Sequence, residues 1–156
     1  MDPHSARLRD WMAARRVDAQ HLVFAESTHS VAEAARAAGA PEDEFVKSIC
    51  MVAPGAEALL VAIVKGEDRA SATRVAEALG RAERPRLATP EEMLARTGYP
   101  AGGTPPFGFE ASFLVDERVM ERSVVYAGGG SDRALVRVAS QEMLRANGGR
   151  VARVRR

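Results

Sequence analysis

The apolar positions fall into short runs with two different periods, which predicts an alternation of brief helices and strands. Leu8, Trp11 and Met12 recur at helical spacing within residues 5–16, the pattern of an amphipathic helix covering one face of a core. His21 to Ala25 reads as a strand, and Ser30-Val-Ala-Glu33 is a capping-box pattern opening a helix that runs to Ala38 and stops at Gly39. Phe45 to Val52 and Ala58 to Val64 are the strongest strand patterns, and Pro54-Gly55 between them predicts a hairpin. Ser71 to Leu79 reads as a helix ending at Gly80. Thr89-Pro-Glu-Glu92 is a second capping box, with proline at the first helical position of a helix that stops before Gly98. Ser112 to Val115, Ser123 to Tyr126 and Leu135 to Val138 are predicted strands, the last two joined by a hairpin turn over Gly128-Gly-Gly-Ser-Asp132. Ser140 to Ala146 is a short helix closed by Gly148-Gly149, and Arg150 to Val154 an edge strand. Hairpins rather than regular βαβ crossovers predict an α+β fold. Its sheet is expected to be largely antiparallel and barrel-like, in one domain spanning residues 1–156.

Two segments break the pattern. Alternation along the central strand puts Lys47 on the same face as Phe45, Ile49 and Met51, with Val46, Ser48, Cys50 and Val52 opposite. An ammonium among large hydrophobes either snorkels to the sheet edge or meets an anion, since burying it unpaired costs several kcal/mol. The second segment, Gly98 to Gly108, holds four glycines and three prolines in eleven residues. Bare glycine backbone held by stiff Pro105 and Pro106 suits polarising a carbonyl oxygen or clasping a small ligand, and equally suits a tight connection. It is not a phosphate-binding P-loop, because no lysine and hydroxyl follow the last glycine.

Composition narrows the classes. The chain has 156 residues, 46% hydrophobic and 28% charged, with a net charge of +1 that does not mark a nucleic-acid binder by itself. No apolar run approaches the length of a membrane span, and the N-terminus lacks a signal-peptide core, so a cytoplasmic location without membrane association is expected. One cysteine, Cys50, excludes an internal disulfide and reads as an inert core thiol. His4, His21 and His29 lack metal-ligand spacing and read as surface or loop residues, so neither metal nor cofactor is expected. Arg150, Arg153, Arg155 and Arg156 form either a solvated tail or a phosphate-contacting one. With no nucleophile elbow and no His-Glu pairing, any catalysis would rely on positioning and backbone dipoles, which suits activated esters.

Taken in order, several segments resemble the YbaK family of freestanding aminoacyl-tRNA deacylases and prolyl-tRNA synthetase editing domains. These are the Thr28-His-Ser30 helix start with Glu33-Ala-Ala35, the Val46-Lys-Ser-Ile49 strand, the Thr97-Gly-Tyr99 turn, the Gly102-Gly-Thr-Pro-Pro-Phe-Gly108 loop and the Ala127-Gly-Gly-Gly130 turn. The resemblance implies a mixed sheet surrounded by short helices, and metal-free hydrolysis of the ester joining a wrong, small amino acid to the terminal ribose of a tRNA, with prolyl tRNA the foremost carrier. It assigns Lys47 to holding the 3'-terminal nucleotide, with general base as a lesser role. Gly102 and Gly103 are assigned, through backbone amides, to the ester carbonyl, and an ordered water assisted by the neighbouring ribose hydroxyl would attack.

Thr28, Ser30, Thr104, Pro105, Pro106, Phe107, Gly108, Gly128 and Gly129 are the implied substrate-binding positions, and His29 is a poorer candidate. The implied partners are the acceptor end of aminoacyl-tRNA and, in a second place, a synthetase; the oligomeric state stays open. A chain of this length has no room for a synthetase's other domains, so a freestanding editor acting in trans is expected. Whether Asp132 or Ala134 stands at the position that is acidic in the cysteine-specific branch is open. The competing readings are a non-catalytic module that binds charged tRNA ends or a synthetase, and a glycine loop that binds a free nucleotide or amino acid.

Overall fold

The computed structural model describes residues 1–55 and 58–156. The helices are α1 (Pro3–Ala14), α2 (Val31–Ala38), α3 (Ala72–Ala78), α4 (Pro90–Thr97) and α5 (Ser140–Asn147). The strands are β1 (Ala19–Val23), β2 (Val46–Val52), β3 (Leu59–Lys65), β4 (Arg86–Leu87), β5 (Ser112–Asp116), β6 (Val124–Gly128), β7 (Ala134–Ala139) and β8 (Arg150–Ala152). They form a three-stranded sheet in the order β1-β7-β6 and a five-stranded sheet in the order β4-β2-β3-β5-β8. Four pairings are antiparallel and two, β3 with β5 and β5 with β8, are parallel, so the α+β, mixed and largely antiparallel expectation holds.

The parallel pairs correct one detail. Hairpins account for β2–β3 and β6–β7, but β5 and β8 reach their places through long crossovers, because parallel neighbours cannot be joined by a tight turn. The residues 56 and 57 of the predicted β2–β3 turn lie outside the described residues.

β3 is central because its run of Leu-Leu-Val-Ala-Ile-Val can be buried on both faces, and the whole strand is. Leu59, Val61 and Ile63 join Val125, Ala127, Val136 and Val138 in a core held between the two sheets. Leu60, Ala62 and Val64 face the other way, onto Val75 of α3 and Val154. The sheets meet where Phe45, just before β2, makes a parallel bridge to Tyr126 of β6, with ring centroids 4.8 Å apart. α2 covers that seam through Ala34 and Ala35.

The caps follow the sequence closely. Thr89 and Glu92 make the full reciprocal box, and Glu92 also receives a two-pronged bond from Arg86 at 2.7 Å, which holds its pKa at about 2. At α2 the Ser30 hydroxyl accepts from the Glu33 amide and donates to the Glu33 carboxylate, so only half of the box is present. No helix among the described residues is long and apolar enough to cross a membrane.

The arginine-rich end is anchored to the fold rather than a free tail, although Arg150, Arg153 and Arg156 are exposed as the solvated reading expects. Val154 is fully buried, the Arg156 amide donates to Arg69 O, and Arg150 bonds Ala78 O. Asp116, at the end of β5 and fully buried, accepts from the amides of Arg118, Val154 and Arg155 at 3.0, 2.9 and 3.1 Å and from the Arg155 guanidinium at 3.1 Å. Asp116→Ala strands three amides and leaves the Arg155 guanidinium with only Glu117 among the described residues, so it should lower unfolding free energy by about 3 to 5 kcal/mol in urea denaturation, with Asp116→Asn losing less.

Candidate active site

Two segments far apart in sequence meet beside the seam. α4 ends at Gly98, whose φ of +83° reverses the chain, and Ala101–Gly103 then form a single 3-10 turn. Pro100 O closes this turn by accepting from the Gly103 amide at 3.0 Å and the Thr104 hydroxyl at 3.3 Å. Opposite lies the β6–β7 connection, where the Gly130 amide donates to Gly103 O at 2.8 Å. The approach is so close that a Cβ on Gly103 would lie 2.3 Å from Ser131 N, and one on Gly128 would lie 2.2 Å from Thr104 O. Both obstacles are backbone atoms that cannot step aside, so glycine is required on each side. The amides of Gly102 and Thr104 make no hydrogen bond among the described residues.

These segments wall a cleft of about 370 Å³, at the small end of the range for small-molecule sites. Its other walls are β2 from Phe45 to Cys50, the Thr28–Val31 approach to α2, and Leu87, Ala88 and Met93 at the far rim. Lys47 lines it, half-buried, and its ammonium donates to Gly66 O at 3.2 Å. No carboxylate among the described residues is within ion-pair distance of Lys47, so the protein offers it a neutral dipole rather than an anion. Cys50 also lines the cleft, but burial pushes its thiol up to about 11, which leaves no thiolate to attack a substrate.

Thr28 sits on the cleft wall with 7% of its surface exposed, anchored by its amide to Asp132 O at 2.7 Å. Its Oγ1 is buried with no hydrogen-bond partner, a cost that a bound polar group would remove. The neighbouring Ser30 hydroxyl is committed to the helix cap. His29, discounted in the sequence, lies at the cleft with its ring against Gly102: a Cβ there would be 2.8 Å from Nδ1. Its place between Thr28 and Ser30 was the only signal available.

The cleft thus gathers Thr28, Ser30, Lys47, Gly102, Gly103, Thr104 and Gly128. The other sequence candidates point elsewhere. Pro105 O receives the Ser48 hydroxyl and Pro106 O the Asn147 amide. Phe107 is fully buried and stacks on Trp11 at 5.4 Å, and Gly108, at φ +99°, packs under Leu8. The Gly129 carbonyl faces His21 behind the wall.

Comparison with known proteins adds a family to this geometry. Residues 25–146 match the model of the aminoacyl-tRNA editing domain. A proline–tRNA ligase from Solidesulfovibrio magneticus is 31% identical over 111 residues, covering 70% of this chain and 19% of the ligase, so the chain spans about a fifth of that relative's length. Among solved structures, a protein described as a candidate trans-editing enzyme for prolyl tRNA synthetase is 30% identical with a TM-score of 0.91, covering 100% of this chain and 99% of its own. A hypothetical protein of known structure is 32% identical with a TM-score of 0.86, over 96% of this chain and 99% of its own.

The glycine contact makes a prediction independent of any activity. Gly103→Ala and Gly128→Ala should each lower stability by about 1 to 3 kcal/mol, because each forces the same two backbones apart. Once they are parted the second methyl meets less resistance, so thermal or urea denaturation of the double variant should show a loss well short of the sum.

Proposed function

The chain belongs to the aminoacyl-tRNA editing domain family, and from that premise we propose that it hydrolyses mischarged aminoacyl-tRNA, acting in trans on prolyl tRNA that carries a small noncognate amino acid. The observation that carries this reading is the convergence on one cleft of a lysine held by a neutral carbonyl and a glycine turn with two unpaired amides. The relatives support the carrier: one is a proline–tRNA ligase and another is described as a candidate trans-editing enzyme for prolyl tRNA synthetase.

In the proposed mechanism the ester carbonyl oxygen accepts from the amides of Gly102 and Thr104, where negative charge develops as the carbonyl carbon becomes tetrahedral. The Gly103 amide already closes the 3-10 turn, so Gly103 contributes by permitting the close approach that fixes its neighbours. Lys47 exchanges the Gly66 carbonyl for an anionic group of the 3'-terminal nucleotide, a stronger, charge-assisted bond. A water oxygen attacks the carbonyl carbon, the bond to the ribose oxygen breaks, and the proton lost by water ends on that ribose oxygen, relayed by the adjacent ribose hydroxyl. Thr28 Oγ1 supplies a hydrogen bond to the bound aminoacyl group. An aminoacyl ester is reactive enough for positioned dipoles to suffice without a side-chain nucleophile.

The test is ester release from prolyl tRNAs charged with labelled alanine, serine, threonine, cysteine and proline. Wild type should release one or two noncognate residues and spare proline, and Lys47→Ala should slow release by about 100-fold or more. Activity retained in Lys47→Ala would remove that residue from the mechanism, and binding of charged tRNA without release above buffer would leave a non-catalytic module. Thr28→Val should keep or raise the stability of the free protein, because a buried unpaired hydroxyl costs about 1 to 3 kcal/mol, while raising KM for the released substrate.

A further inference from the structure

The glycine wall of the cleft is held from behind by residues that precede the family match, which begins at residue 25. Gly130 packs on the first turn of α1, where a Cβ would lie 3.1 Å from His4 O. Next to it, His21 on β1 places Nε2 2.8 Å from Gly129 O, while its Nδ1 lies 3.0 Å from the Arg9 guanidinium. A carbonyl only accepts and a guanidinium only donates, so these partners fix the ring as neutral, with its proton on Nε2. The Ser5 hydroxyl lies 3.5 Å from the same carbonyl, but its single proton goes to the Asp2 carboxylate at 2.8 Å. Ser131 Oγ, 3.3 Å from Ser5 Oγ, completes that cluster. His21 is therefore the side chain on which Gly129 O depends.

We propose that His21 is a positioning residue for the editing site: by holding the Gly129 carbonyl it fixes the spacing between the Gly128–Gly130 turn and the Gly102–Thr104 loop. The position is transmitted through the Gly130 amide, which bonds Gly103 O at 2.8 Å, the carbonyl beside the loop's unpaired amides. This role rests on the editing function assigned to that loop.

The arrangement requires the neutral ring, because a second proton on Nδ1 would be driven against Arg9. Burial holds the His21 pKa below its ordinary value of 6.5; Arg9 acts in the same direction, and the Gly129 carbonyl and Asp2 oppose it. Across the sheet the residue facing His21 on β7 is Val136, which carries no charge. Because the folded pKa lies below the unfolded one, the neutral ring's contribution is complete above about pH 6.5 and is lost as pH falls through the folded value.

The experiment compares the full-length wild type with His21→Gln, whose amide can donate to Gly129 O and accept from Arg9 without titrating, and with His21→Leu, which can do neither. By amide hydrogen exchange, His21→Leu should speed exchange of the Gly130 amide about tenfold and leave the β2–β3 amides as in wild type, and His21→Gln should restore slow exchange. With mischarged tRNA, kcat should fall about tenfold in His21→Leu at nearly unchanged KM and recover in His21→Gln. The ratio of His21→Gln to wild-type kcat should rise as the pH falls through the lowered His21 value and the wild-type ring takes its second proton. Unchanged Gly130 exchange in His21→Leu, equal acceleration in both variants, or acceleration across the whole chain would overturn the assignment. So would normal kcat in His21→Leu beside fast Gly130 exchange. Should wild type release no amino acid from any tRNA, the editing reading fails, and the exchange arm still decides whether His21 holds the turn.

Discussion

The contact between two backbones, Gly102–Thr104 against Gly128–Ser131, decides where the rest of the site can stand. Side chains packed against one another can adjust by changing rotamer, but peptide planes at this distance cannot. The single hydrogen bond across the contact, from Gly130 to Gly103, is worth only about 1 kcal/mol. The larger effect is steric: one register of the two segments is allowed, and it fixes the end of β6. With β6 fixed, Tyr126 meets Phe45, the two sheets join at that seam, and Lys47 follows two residues later along β2. A rigid contact between main chains thus sets the place of a flexible cation.

The polar groups around the cleft divide into those already satisfied and those left open. The Ser30 hydroxyl and the Gly103 amide have internal partners, whereas Thr28 Oγ1 and the amides of Gly102 and Thr104 have none among the described residues. Lys47 lies between these classes, half-buried and bonded to a single neutral carbonyl. Leaving a buried polar group open is costly, so Thr28 Oγ1 is the group with the most to gain from a polar partner. The editing-domain membership and the open donors are independent observations, one from sequence likeness and one from geometry.

Much of the fold was legible because its signals are local. The Thr89 box appears in full, the helix stops at Gly39 and Gly98 appear as left-handed glycines, and alternation along β2 sends Val46 and Cys50 into one core and Ile49 and Met51 into another. Strand neighbours were not legible, since alternation gives a face and not a partner. The strands β5 and β8 were therefore expected but their parallel pairing was missed, as was the two-residue β4 itself. In the glycine-proline segment, composition marked a special backbone without saying which half meets the cleft. Residues 102–104 do, and 105–108 run into the core under α1. His21 escaped notice because its partner is a carbonyl 108 residues away.

Asp116 ties the end of β5 to the backbone of Val154 and Arg155, 38 and 39 residues later and just beyond β8. During synthesis the carboxylate is made before its partners, and at about 5 to 20 residues per second the gap lasts about 2 to 8 s. Through that interval β5 has no β8 beside it and Val154 is not yet present to fill the core under α3. Until residues 150–155 are made, the β8 edge of the five-stranded sheet and two of the amide donors to Asp116 are both missing. The separation of one acid from two of the amides that solvate it thus sets the last step in completing this sheet during synthesis.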